Sequence, residues 1–196
     1  MHLKQSNFHH VFLFIIFNSF VFYVMGDVIR LGKCPFVKLQ RGFKHFLFNG
    51  DWYEVGRNPI ILFSNTKCNK INLKHSDEKL YLKSSSVFKN FNREINFEAF
   101  AFSPNLEDPA KMKIEYPLTL LKTNITIPYW VLYTDYEYAV VWSCVEYLKI
   151  LHFEYYWILS RKPYISEEKL RDLGDVLTLS NIDTSYMIRT EQTGCM

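Results

Sequence analysis

Gly50-Asp51-Trp52-Tyr53-Glu54 and, about a hundred residues later, Trp157-Ile158-Leu159-Ser160-Arg161 are the stretches whose reading decides the fold of this chain. The second closes the clearest strand in the sequence, residues 150–161. There Leu151, Phe153, Tyr155, Trp157, Leu159 and Arg161 share one face, while His152, Glu154, Tyr156, Ile158 and Ser160 share the other. A period of two puts the large aromatics on the same side of a sheet. The same alternation runs through residues 94–99 and 111–116, where every charged or amide residue skips one place. Strands of this kind have a wet face and a dry face.

Working outward, the β-branched and aromatic run 129–134, followed by 138–144, predicts an antiparallel hairpin whose short turn holds Asp135. One helix breaks the pattern. Pro163 ends the preceding strand, Ser166 is a candidate N-cap, Glu167 and Glu168 suit the positive end of the helix dipole, and Leu170, Leu173 and Leu177 form one stripe. That stripe predicts a helix docked on the outside of the sheet. A last short strand is expected around residues 186–190. With no repeat, linker or low-complexity segment, the chain reads as one mostly β domain.

The amino terminus speaks to compartment. Residues 1–10 carry Lys4 and no acid, residues 11–25 are a nearly unbroken apolar run, and Gly26 offers a small residue for cleavage. This is the layout of a secretory signal peptide, removed from a mature protein of residues 27–196 that is secreted to the extracellular space. A membrane anchor is the alternative, but the run falls short of the ~18–20 residues that span a bilayer, and Asn18 and Ser19 interrupt it. Without the leader, 22 basic residues face 20 acidic ones, scattered along the chain. That is no footprint for nucleic acid. Cys34, Cys68, Cys144 and Cys195 form no C-x-x-C pair and lie near no histidine at zinc-finger spacing. In a secreted chain four cysteines read as two disulfides, with three connectivities open. Asn124-Ile125-Thr126 is a glycosylation sequon in a polar stretch before Pro128, expected in an exposed loop.

Eight or so antiparallel strands and one late helix suit either an up-and-down barrel or a sandwich, which strand patterning separates poorly. A resemblance decides between them. Asn49 to Val55, Ala110 to Ile114, Tyr129 to Glu137 with Thr134-Asp135-Tyr136 at its centre, Ser143-Cys144, Trp157 to Arg161, Asn181-Ile182-Asp183 and the terminal Cys195 match, in order and spacing, the lipocalin family. Within it, the chain is most similar to the apolipoprotein D-like and bilin-binding members. The resemblance covers nearly all of residues 27–196 and implies an all-β, eight-stranded antiparallel up-and-down barrel with one C-terminal α-helix outside. It also implies the pairs Cys34–Cys144 and Cys68–Cys195.

The outer blocks have a physical rationale of their own. A barrel needs its narrow end sealed, and the indole of Trp52 can stack on the guanidinium of Arg161 while the arginine N–H groups bond nearby carbonyls. Gly50, Trp52, Thr134, Asp135, Tyr136 and Arg161 thus read as structural, with Asp135 accepting local backbone hydrogen bonds in a turn. No metal site is expected, and no cofactor is required; a bound pigment or lipid would be cargo. An eight-stranded barrel leaves room inside for one small ligand. Alternation places Ile71, Leu73, Ile95, Phe97, Ala99, Met112, Ile114, Tyr116, Phe153, Tyr155 and Trp157 on its inner face. All but Ile95 and Ala99 are candidates for touching ligand. The resemblance implies a fatty acid, a sterol or a linear tetrapyrrole. It supports Trp157 as a pocket residue, whereas Leu73 stands where apolipoprotein D has a tyrosine.

Two further readings belong here. The apolar run Pro59-Ile60-Ile61-Leu62-Phe63 either folds inward over the cavity or offers Ile60, Ile61, Leu62 and Phe63 to a membrane or lipoprotein surface. No nucleophile has a plausible base: His45 and His75 lie near no marked partner, and His152 falls on the polar face of its strand, where a solvated position is expected. The leading function is therefore a secreted carrier rather than an enzyme. The alternative is a protein-binding or inhibitory member of the family that uses its loops, with the barrel as scaffold.

Overall fold

The computed structural model describes residues 29–60, 64–76, 79–118 and 123–195. The expected leader, residues 1–26, and Ile61, Leu62 and Phe63 lie outside the described residues. Ten strands form one continuous sheet: β1 (Ile29–Leu31), β2 (Gly50–Arg57), β3 (Thr66–Ser76), β4 (Lys79–Phe88), β5 (Arg93–Phe102), β6 (Lys111–Leu118), β7 (Thr123–Thr134), β8 (Tyr138–Tyr147), β9 (Leu151–Ser160) and β10 (Ile188–Arg189). Every pairing is antiparallel, β2 through β9 follow one another in order, and β9 pairs back onto β2. This is the closed eight-stranded barrel. Closure removes the unpaired edges that an open sheet of this length would expose.

The two extra strands patch the outside of the seam. β1 adds to the mouth half of β9, with Ile29 opposite Phe153, and β10 adds to the second half of β2, with Ile188 opposite Arg57. β10 is needed because β2 and β3 pair only from Gly50–Leu73 to Tyr53–Lys70. Beyond that point the bulge between Lys67 and Lys70, with Cys68 at a positive φ of 58°, turns β3 away. The tail then fills the gap, Thr190 N–H donating to Val55 O and Cys68 N–H to Glu191 O.

The one α-helix among the described residues, α1 (Glu167–Thr178), begins as its sequence predicts: the Ser166 hydroxyl accepts from Lys169 N–H, and Glu167 and Glu168 occupy the first turn. Its stripe of Leu170, Leu173 and Leu177 packs outside the barrel on Val55, Val140, Trp142, Tyr156 and Ile158. The disulfides are Cys34–Cys144 and Cys68–Cys195, the pairing implied by the resemblance. Each spans more than a hundred residues, so in the chain-entropy picture each stabilises by at most about 5 kcal/mol.

Two local expectations differ. Asn124 sits near the start of β7, opposite Pro117, not in a loop; it is exposed, and its amide donates to Glu115. His152 is 5 % exposed, not solvated, because β1 and the turn after it cover that part of β9. One ring nitrogen lies 3.1 Å from Gly32 O and the other 3.2 Å from the Glu154 carboxylate.

Candidate functional site

One end of the barrel is sealed, and the seal is built from the blocks quoted at the outset. The Arg161 guanidinium lies 3.8 Å from the centre of the Trp52 ring. It donates from Nε to Tyr136 O, from Nη1 to Asp51 O and from Nη2 to Leu47 O, at 3.1, 2.9 and 3.0 Å. Trp52 is fully buried; its indole N–H donates to Phe48 O at 2.9 Å, and its ring leans on Phe48. Gly50 has φ +94°, and a Cβ there would stand 3.3 Å from Arg161 Nη1, so glycine suits both the backbone and the close approach. The middle block completes the floor. Thr134 Oγ1 donates to Tyr138 O, Asp135 Oδ1 accepts from the N–H groups of Glu137 and Tyr138, and Tyr136 presents its carbonyl to Arg161. The short 3-10 turn His45–Phe48 lies across this end, with His45 bonded to Ser103 and Pro109 O.

Above the floor the inner face follows the register. Leu73 faces Leu82, which faces Ala99 in turn; Ile71 faces Ser84, which faces Phe97; Met112 faces Tyr129, Ile114 faces Ile127, and Val141 faces Trp157. Leu73, Ala99, Met112 and Ile114 are buried in the core around Trp52, whereas Ile71, Tyr116 and Trp157 are half-buried against it. Ile95, Phe153 and Tyr155 are half-buried, and Phe97 is 42 % exposed although its strand turns it inward. Trp157 lies between two phenols, stacked on Tyr155 with centroids 6.3 Å apart and tilted against Tyr129 at 6.2 Å. Ile60, the described member of the apolar run after β2, is buried.

Sequence reasoning missed a polar group in this wall. Glu54 is two residues beyond Trp52 and so shares its face. The bulge between Glu54 and Gly56 then brings Arg57, opposite Trp157, onto that face as well. Glu54 Oε1 accepts from Arg57 at 2.6 Å, Asn69 at 2.8 Å and Thr190 at 2.6 Å. All four side chains are buried, and the carboxylate and guanidinium neutralise each other. Strict alternation pointed to Glu54; the bulge hid Arg57. Burial, then the nearby Tyr116 and Glu54, hold the Tyr129 phenol well above its ordinary pKa, and burial does the same to Tyr116 and Tyr155. These phenols stay protonated near neutral pH. Among the described residues no group of histidine, cysteine, aspartate and glutamate could hold a metal ion.

The lipocalin-like domain family matches residues 44–192, three quarters of the chain. This chain belongs to the lipocalin family. Its sequence is 34 % identical over 178 residues to apolipoprotein D of Oryctolagus cuniculus, covering 87 % of this chain and 88 % of that protein. The structure of insecticyanin from the tobacco hornworm Manduca sexta superposes with a TM-score of 0.74 at 26 % identity, covering 84 % of this chain and 89 % of that one. Lobster apocrustacyanin A1 shares the fold, with a TM-score of 0.73 at 20 % identity over 86 % of this chain and 93 % of its own. Within this lipocalin, the three family blocks converge on the floor.

Proposed function

We propose that this lipocalin is a secreted carrier that reversibly holds one small hydrophobic molecule, a fatty acid, sterol or linear tetrapyrrole, inside the barrel without chemical turnover. The observation that carries this reading is the contrast along the inner wall. Phe97 at 42 %, Ile125 at 47 % and Val145 at 39 % exposure all face inward on a barrel whose other end is shut. Large apolar side chains left accessible inside a closed sheet line a cup, and a cup of that chemistry takes an apolar guest. The long-range disulfides support passage through an oxidising compartment. Pigment or lipid is cargo in this account, and Phe97, Tyr116, Phe153, Tyr155 and Trp157 touch it.

The turns at the open end add a second contact. Phe91 between β4 and β5, and Leu148 and Ile150 between β8 and β9, are 79, 71 and 61 % exposed. They suit brief contact with a membrane or lipoprotein surface from which cargo is collected. Organic extraction of natively purified protein followed by mass spectrometry and visible absorption tests the carrier reading. One stoichiometric lipid or pigment is expected. A barrel that yields no guest and takes up no apolar probe contradicts it and favours a protein-binding scaffold.

A further inference from the structure

The mouth half of the wall is closed by a strap. β2 pairs with β9 only from Tyr53–Ser160 to Arg57–Trp157; above that point β1 takes over its line along β9, with Ile29, Arg30 and Leu31 opposite Phe153, His152 and Leu151. Between the two, Asn58 stands in for a strand, its amide donating to Glu154 O and its carbonyl accepting from Tyr156 N–H. The far edge of β1 is one end of the sheet. Phe153, which faces the lumen, is thus screened from the side by three residues of chain. One end of this strap is fixed, because Cys34 is bonded to Cys144 and donates its N–H to Glu146. Gly32, between strap and anchor, has φ +92° and open space around it, the freedom a hinge needs. The strap itself grips weakly. Leu31 is 88 % exposed, and the Arg30–Asp183 ion pair is partly exposed and so adds little.

The remaining tie is His152. Its buried ring has one nitrogen 3.1 Å from Gly32 O, on the strap's hinge, and the other 3.2 Å from the Glu154 carboxylate. Both are acceptors. A neutral imidazole has a single N–H and can serve only one of them, whereas an imidazolium, or a neutral carboxyl on Glu154, satisfies both contacts. Seating the strap therefore favours one proton held by the pair. The other charged groups around the ring are already engaged. Arg30, opposite His152 on β1, meets Asp183, and Glu146, opposite it on β8, accepts from Cys34 N–H. Tyr156, further along the same face, is kept protonated by burial. We infer that β1 is a side gate in the barrel wall, hinged at Gly32 and latched to β9 by a proton shared between His152 and Glu154. Acid holds the gate shut; the latch is lost as pH rises, and an elongated guest then passes laterally beside Phe153. This rests on the carrier reading and adds a regulated route for the cargo.

The test is stopped-flow release of the uncharged dye N-phenylnaphthylamine from the mature protein into excess hexadecan-1-ol. Release should be about tenfold faster near pH ~8 than near pH ~5.5, the effect of losing one hydrogen bond, while equilibrium affinity for the dye stays within about twofold because a gate alters the path and not the end states. His152→Gln, which has no proton to gain, should release the dye quickly at both pH values. Leu31→Cys combined with Leu151→Cys bridges a facing pair and locks the strap, and should release it slowly at both, with non-reducing peptide mapping to verify the bridge. One release rate at both pH values, or a pH dependence that survives in the locked protein, overturns the gate and leaves the carrier reading standing. If no dye binds at either pH, the carrier reading fails and the gate with it.

Discussion

The floor and the mouth of this barrel are made by the same eight strands and differ in almost everything else. At the floor an arginine in contact with Trp52 bonds three backbone carbonyls, and Phe43, Phe48 and Tyr136 fill the space around them. At the mouth the strands end in exposed apolar side chains, and closure between β2 and β3 is left to a two-residue strand and a disulfide. The contrast separates stability from recognition. Residues that identify the family hold the structure together at one end, so those at the other can change to suit a guest without unfolding the barrel.

That separation can be broken by substitution. The largest effect belongs to the floor: Trp52→Ala removes a fully buried indole and the ring beneath Arg161, and should cost about 3–5 kcal/mol, read as a fall in Tm of roughly 10 °C or more. A loss under about 1 kcal/mol would mean the floor is not where stability resides. Next comes the tie that replaces packing at the β2–β3 gap. Cys68→Ser with Cys195→Ser should cost about 2–4 kcal/mol in denaturant unfolding and expose the tail to proteolysis ahead of the barrel. Phe97→Ala at the mouth, already 42 % exposed, should cost under about 1 kcal/mol in the same assay while weakening uptake of an apolar dye.

The smallest effect is at the rim of the floor, where Asp51 meets Lys70 at 2.8 Å. The hydrogen bond from Lys70, then that from Asn72, holds the Asp51 pKa below its ordinary value. Its contribution is therefore present above the unfolded carboxylate pKa near ~3.9 and is lost as pH falls through the lower folded value. The pair is well exposed, so Asp51→Asn should change stability at neutral pH by no more than about 0.5 kcal/mol and flatten the acid limb slightly.

The barrel, its helix and its disulfides were legible because each rests on a local signal or a family block: period-two strands, the Ser166 cap ahead of Glu167 and Glu168, and four cysteines in order along the chain. Inner-face parity was readable wherever strands run without interruption, as in β5, β6 and β9. It failed at bulges, which is why Arg57 went unrecognised as the partner of Glu54. His152 was misplaced for a different reason. Its burial depends on β1, more than a hundred residues away in sequence, and no local pattern announces that cover.

The most direct measurement of the central claim compares Trp157→Ala with Arg161→Lys, reading Tm and displacement of N-phenylnaphthylamine by hexadecan-1-ol on the same preparations. Trp157→Ala should weaken binding about tenfold or more with little change in Tm, and Arg161→Lys should lower Tm by several degrees while the folded protein binds as before. If Arg161→Lys abolishes binding with Tm intact, or Trp157→Ala unfolds the barrel without touching affinity, the division between a structural floor and a recognising mouth is wrong.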